Sequence, residues 1–239
     1  MKGRRVAAAV LAMLFLLAQR AWAVDISATA AVLMDADTGR ILYEKNPDRR
    51  MLVASTTKIL TALVVLESCE LRSTVKVTQE HMAEGSSMYL KPGEEVTVEC
   101  LLYGLLLASG NDAAVALAEH VAGSAEGFVD LMNQRAAALG MKDTHFVNCN
   151  GLDNPEHLTT AYDIALMSRE LVRHPLIFEF TGIWMDSLRD GAFGLVNTNK
   201  LIRFYEGANG LKTGSTSVAK FCLSASAVRN GMNLIAVIM

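Results

Sequence analysis

Several features that would mark other kinds of protein are missing from this 239-residue chain. Its four cysteines, Cys69, Cys100, Cys149 and Cys222, contain no C-x-x-C spacing, and its five histidines form no H-E-x-x-H pattern. A zinc site is therefore not expected, and no cofactor is implied. Each cysteine lies in or beside apolar sequence, so buried free thiols are expected rather than bridges, although export would permit disulfides. The net charge is only -3, with both signs spread along the chain. That distribution leaves no basic face for nucleic acid. Against these absences stands a hydrophobic content of 51%, enough for a real core and too much for a disordered chain.

No apolar run is long enough to make a stable bilayer span, which takes about 20 residues. The longest, VAAAVLAMLFLLA, has 13 residues and follows the basic start MKGRR. Ala21-Trp22-Ala23 then supplies the small-x-small pattern of a processing site, so residues 1–23 read as a secretory signal. A mature chain beginning at Val24 and working outside the cytoplasm follows. The chain stops at Met239 within an apolar strand, without a closing turn. The expectation is a catalytic domain, 24–239, whose C-terminal part is absent.

SATAAVLMDADTGRILYEK, residues 27–45, places Asp-Ala-Asp-Thr-Gly between two β-prone runs and predicts a hairpin. A helix is expected from Ser55 to about Ser68, with apolar positions 59, 60, 63, 64 and 66. Residues 73–97 suggest an irregular excursion with two short paired strands. Helices at 99–108 and 112–122 follow, broken at Ser109-Gly110-Asn111, then helices at 126–139 and 160–173 with THFVNCNGLD between them. Residues 176–206 carry only short, weakly periodic pieces. The tail predicts strands GLKTG, AKFCLSASAVR and MNLIAVIM, the last two joined by Asn230-Gly231. Strands at both ends with helices between them imply an α/β chain of the α+β kind, with one antiparallel sheet and an inserted helical region.

Ser55 and Lys58 stand three apart at a helix start, on one face, where an amine can reach a hydroxyl. A serine hydroxyl needs a neighbouring base to act as a nucleophile, and a lysine serves only when burial or another cation drives off its proton. A capping serine followed by a solvated lysine would look the same. The S-x-x-K pattern also occurs at Ser73–Lys76 and Ser217–Lys220, but in strand-like sequence, where i and i+3 face opposite ways. Ser109 and Asn111 set a hydroxyl and an amide on a short break between apolar helices, where Asn111 could equally cap the second helix. In Lys212-Thr213-Gly214 the lysine and glycine share one strand face, and the glycine leaves room for a ligand backbone.

Taken in order, serine with lysine, Ser-x-Asn and Lys-Thr-Gly provide a nucleophile, a base, a relay and a cationic wall. From about Ser27 onward the chain resembles the low-molecular-mass penicillin-binding proteins that are D-alanyl-D-alanine carboxypeptidases. The segments that carry the likeness are ASTTKILTALVVLE, LLYGLLLASGNDAAVALAEH, FVNCNGLD with HLTTAYDIALMS, and GLKTG before FCLSASAVRNGMNLIAVIM. The resemblance implies a β-lactamase/transpeptidase-like fold with a five-stranded antiparallel sheet. It implies Ser55, Lys58 and Ser109 as catalytic residues, and Asn111, Lys212, Thr213, Gly214 and Ser215 as substrate-binding ones. The substrate would be a peptidoglycan stem peptide ending in D-Ala-D-Ala, β-lactams would acylate Ser55, and any membrane attachment would come from sequence beyond Met239.

A class A-like β-lactamase shares several of these parts, but the loop here is Ser-Gly-Asn rather than Ser-Asp-Asn. Residues 140–180 also lack a Glu-x-x-Leu-Asn segment. A D-Ala endopeptidase, and an acylatable β-lactam-sensing or wall-binding domain, are further alternatives. Asn148, Asn150 and Asp153 are expected in loop and cleft wall, and Tyr89, Phe178 and Trp184 as core or cleft aromatics.

Overall fold

A computed structural model describes residues 25–239 apart from 190 and 192. Residues 1–23, the segment expected to be a secretory signal, lie outside the described residues. Strands β1 (Ala31–Asp35) and β2 (Ile41–Lys45) form the expected hairpin. The Asp35 carboxylate accepts from the backbone N–H groups of Asp37 and Thr38, and Gly39 at φ 76° donates back to the Asp35 carbonyl. At the other end of the chain come β9 (Ala208–Thr216), β10 (Lys220–Arg229) and β11 (Met232–Ile238). Asn230 and Gly231 both take positive φ, as a two-residue hairpin turn of this hand requires.

The terminal strands close into one five-stranded antiparallel sheet, ordered β2-β1-β11-β10-β9. Ala31 pairs with Ile238 and Asp35 with Leu234, so the two ends of the described chain are zipped together at the sheet centre. β9 is left as an edge strand.

Between the sheet halves sits the helical block. β3 (Met51–Leu52) leads to a 3-10 turn at Ala54–Thr57 and then to α1 (Lys58–Ser68), with every residue from Lys58 to Val65 buried. β4 (Thr74–Lys76) and β5 (Glu95–Thr97) pair around the irregular excursion. α2 (Val98–Leu106) starts where Thr97 accepts from the Cys100 N–H at 3.2 Å. α3 (Asn111–Ala122) ends at Gly123, φ 77°, and α4 (Ala125–Ala138) starts on a Ser124 cap. β6 (Leu158–Thr159) pairs with β3, and α5 (Ala161–Leu171) packs on both α1 and the sheet. α6 (Ile177–Thr181), a hairpin of β7 (Met185–Leu188) and β8 (Phe193–Val196), and α7 (Leu201–Phe204) return the chain to β9.

Some details depart from the sequence-based expectations. The helix expected from Ser55 is a 3-10 turn first, entered through Ala54 at φ 48°, and α-helical only from Lys58. Ser217 lies in the turn between β9 and β10 rather than in a strand, and the Lys220 ammonium donates to the Ser217 carbonyl instead of its hydroxyl. All four cysteines are free, but only Cys149 and Cys222 are buried. Tyr89 is 68% exposed, edge-on to Phe193, because its backbone turns out of the excursion at φ 57°. No helix among the described residues is long and apolar enough to cross a membrane.

Candidate active site

The 3-10 turn places Ser55 one turn ahead of Lys58, and the Lys58 Nζ lies 2.9 Å from the Ser55 Oγ. Lys58 is completely buried. Its amine also donates to the Asn111 Oδ1 at 2.6 Å and to the backbone carbonyl of Asn150 at 2.7 Å. Those two oxygens can only accept, so they take two N–H bonds whatever the charge state. A neutral amine then has its lone pair left for the Ser55 hydroxyl.

The surroundings favour that neutral form. Burial holds the Lys58 pKa well below the usual lysine range, and the nearby Lys212 cation lowers it further, against smaller opposing pulls from Cys149 and Asp112. Lys212 is itself buried on β9, and burial brings its pKa down to about 7. Its Nζ donates to the Thr213 carbonyl at 2.9 Å.

Ser109 sits on the break between α2 and α3 at φ 60°, 6% exposed, and faces the same cleft as Ser55. Gly110 caps α3, which frees the Asn111 side chain for Lys58. The Asn111 amide NH2 donates to the Glu84 carbonyl at 2.5 Å, fixing which end of the amide meets the lysine. Sequence reasoning passed over its neighbour, the buried Asp112. That carboxylate accepts from the Ser87 hydroxyl and from the backbone N–H groups of Met88, Leu90 and Ala113. It thereby pins residues 86–90 along the cleft, where the Ser86 carbonyl accepts from Asn111 N–H. An acid beside Ser-Gly-Asn at the head of an apolar helix was the available signal.

Gly214 is required for a different reason from the one anticipated. A Cβ there would lie 2.8 Å from the Ser55 nitrogen and 3.0 Å from both the Ala54 Cβ and the Thr56 nitrogen. The space against the strand is filled by the chain's own Ala54–Thr56 turn, not by a ligand. Thr213 points the other way and donates to the Thr198 hydroxyl at 2.6 Å, while Ser215 is exposed. Ser55, Ser109, Lys200, Thr213 and Ser215 line a cleft of about 500 Å³. The Asn150 carbonyl, a backbone group, is the lysine contact that no residue type could have announced. Asp153 accepts from the Thr216 hydroxyl at 2.8 Å and ties this loop to β9. No group of three or more His, Cys, Asp or Glu side chains among the described residues could hold a metal ion.

The buried lysines have a measurable consequence. A lysine whose folded pKa is depressed favours the folded state more as pH rises between its folded and unfolded values. For Lys212 that window runs from about 7 to the ordinary 10.5. Stability should rise across it, and Lys212→Met should flatten the slope and gain about 2–4 kcal/mol at pH 7. Urea unfolding of both proteins at pH 7 and pH 9.5 checks this. An unchanged slope in the variant would contradict the burial account.

A sheet assembled from both chain ends, an inserted helical block, and a serine–lysine pair at their junction define the structural class of the active-serine penicillin-binding and DD-peptidase proteins. Within it, the chain belongs to the peptidase S11 family, D-alanyl-D-alanine carboxypeptidase, which matches residues 17–239. It is 48% identical to the Bacillus subtilis D-alanyl-D-alanine carboxypeptidase DacF, over 88% of this chain and 57% of that protein. Identity to the Escherichia coli D-alanyl-D-alanine carboxypeptidase DacC is 37%, over 95% of this chain and 62% of the relative. The chain thus spans less than two thirds of the length of these relatives. Among solved structures, Francisella tularensis DacD superposes with a TM-score of 0.84 at 33% identity, covering 90% of this chain and 66% of that one. A variant of the Streptomyces K15 DD-transpeptidase gives 0.85 at 32%, covering 90% of each.

Proposed function

We propose that the protein is a serine D-alanyl-D-alanine carboxypeptidase that removes the terminal D-alanine from peptidoglycan stem pentapeptides. The observation that carries this reading is the Lys58 amine, stripped of water and of any carboxylate hydrogen-bond partner among the described residues, 2.9 Å from the Ser55 hydroxyl. Ser55 Oγ attacks the carbonyl of the penultimate D-Ala while Lys58 takes its proton. The peptide C–N bond then breaks, the proton passes by way of Ser109 to the leaving amine, and D-alanine departs. Asn111 positions Lys58 and the substrate amide. The backbone N–H groups of Ser55 and Ser215 face the developing oxyanion, and such donors are each worth about 3–4 kcal/mol when removed.

Lys212 keeps the Lys58 proton affinity low and adds positive potential for the substrate carboxylate, which Thr213 and Ser215 help to hold. Gly214 lets β9 close on the nucleophile turn. Water next cleaves the ester and regenerates Ser55. A β-lactam acylates Ser55 by the same attack, and its ring-opened acyl group stays attached. A cell-wall substrate and the leader-like pattern of residues 1–23 both support work on the outer side of the cytoplasmic membrane.

The test is D-alanine release from a soluble pentapeptide ending in D-Ala-D-Ala. Release by the wild type and none by Ser55→Ala is expected; equal release by both would refute the reading. Preference for crosslinked muropeptides would make the protein an endopeptidase, and rapid repeated hydrolysis of penicillin a β-lactamase. One burst of acylation without turnover would make it a sensing or binding domain.

A further inference from the structure

His157 is 1% exposed and takes no part in the chemistry described above. Its ring is nevertheless joined to the nucleophile turn by a chain of directed hydrogen bonds. The Val147 N–H donates to Nδ1 at 3.1 Å, so Nδ1 carries no proton and Nε2 does. Nε2 faces the Thr57 Oγ1 at 2.8 Å and therefore donates to it. With its oxygen accepting from histidine, the Thr57 hydroxyl sends its own proton to the Ala54 carbonyl at 2.9 Å. Phe146 packs edge-on against the imidazole at 5.3 Å between centroids and fixes its plane.

The carbonyl at the end of this chain matters because of the bond it belongs to. Ala54 C=O and Ser55 N–H are the two poles of one planar peptide unit, and in a trans peptide they point in opposite directions. Whatever holds the Ala54 oxygen therefore aims the Ser55 N–H. The unit needs holding, since Ala54 sits at φ 48°, a region that a residue with a side chain adopts only when its surroundings enforce it. The backbone of Gly151 backs the same oxygen so closely that no side chain fits between them. The Ser55 nitrogen also lies close to β9, 2.8 Å from where a Cβ on Gly214 would fall.

We infer that Thr57 and His157 are positioning residues that aim the Ser55 N–H into the oxyanion site by anchoring the Ala54 carbonyl. This rests on the acyl-enzyme reading above and adds to it the source of the donor's orientation. An oxyanion exists only once attack has begun, so a misaimed donor slows acylation without weakening the initial complex.

Stopped-flow acylation by penicillin over a range of concentrations separates the two quantities, with melting temperature followed in parallel. Thr57→Val, which keeps the shape and deletes the hydroxyl, should lower the saturating acylation rate about 10- to 100-fold and leave the apparent dissociation constant within about threefold. Thr57→Ser should stay within about threefold of wild type on both. His157→Phe should resemble Thr57→Val, and if it fails to fold the threonine pair still decides the matter. A purely structural role would lower the melting temperature and the active fraction while leaving the rate of the surviving molecules unchanged, and that result would overturn the inference. So would a change confined to the dissociation constant. A wild type that forms no adduct would instead strike down the acyl-enzyme reading, and this inference with it.

Discussion

Lys58→Ala should slow acylation of Ser55 by penicillin about 10³-fold, the middle of the range for loss of a positioned general base. No substitute is at hand. Ser109 is a hydroxyl with no charge to offer, and among the described residues Lys58 is the amine hydrogen-bonded to the Ser55 hydroxyl. The variant loses a buried amine and leaves the Asn111 Oδ1 and the Asn150 carbonyl short of a donor, each costing about 1–3 kcal/mol. It also no longer buries a lysine, which offsets part of that cost, so a folded protein is expected by circular dichroism.

The pH dependence has a definite sign. Attack requires Lys58 without its proton, so the wild-type rate should climb as pH rises through a pKa held well below the ordinary 10.5. Below about pH 7 Lys212 is charged and keeps that pKa down; above it the repulsion fades. Acylation rates for wild type and variant, measured from pH 5 to 9, check both statements. A variant as fast as wild type would remove Lys58 from the role of base.

Gly151→Ala should destabilise the fold by about 3 kcal/mol or more and cut acylation at least tenfold, although it adds one methyl group. A Cβ at this position would fall 1.9 Å from the Ala54 oxygen and 2.4 Å from its carbonyl carbon, both backbone atoms that no rotamer change can move. Relief requires residues 150–151 to back away, and the Asn150 carbonyl that holds Lys58 moves with them. Gly140→Ala is the control. It too has a positive φ, 79° against 87° for Gly151, but nothing lies within 4 Å of its Cβ position, so it should cost only about 1 kcal/mol and leave acylation alone. Urea titrations and acylation rates of the two variants separate conformational strain from the clash. Equal effects at the two sites would show that the contact with Ala54 is unimportant.

Much of the architecture could be read from local signals. The Asp35–Gly39 turn, the Asn230–Gly231 turn and the buried helices each declare themselves within a dozen residues, and the strands at the two ends pair as their positions suggest. The β7–β8 hairpin did not, because Met185, Asp186 and Ser187 are all exposed and show no alternation. At the site, S-x-x-K, Ser-x-Asn and Lys-Thr-Gly supplied the side chains that meet in one cleft. Their supports were hidden for physical reasons. The Asn150 contact is made by a carbonyl 92 positions from Lys58, and every residue carries the same carbonyl. His157 reaches Thr57 across 100 positions, and a lone histidine in an irregular segment has no periodicity to betray its direction. The need for Gly214 emerges only when β9 and the Ala54–Thr56 turn are seen to touch.

The mechanism requires that Ser55 Oγ be the atom acylated, activated by its buried lysine neighbour. Intact-mass measurement after penicillin, followed by peptide mapping, tests it most directly. A single penicilloyl addition is expected on the peptide holding Ser55, absent from Ser55→Ala. An adduct that survives this substitution, or that maps to Ser109 or Ser215, would contradict it.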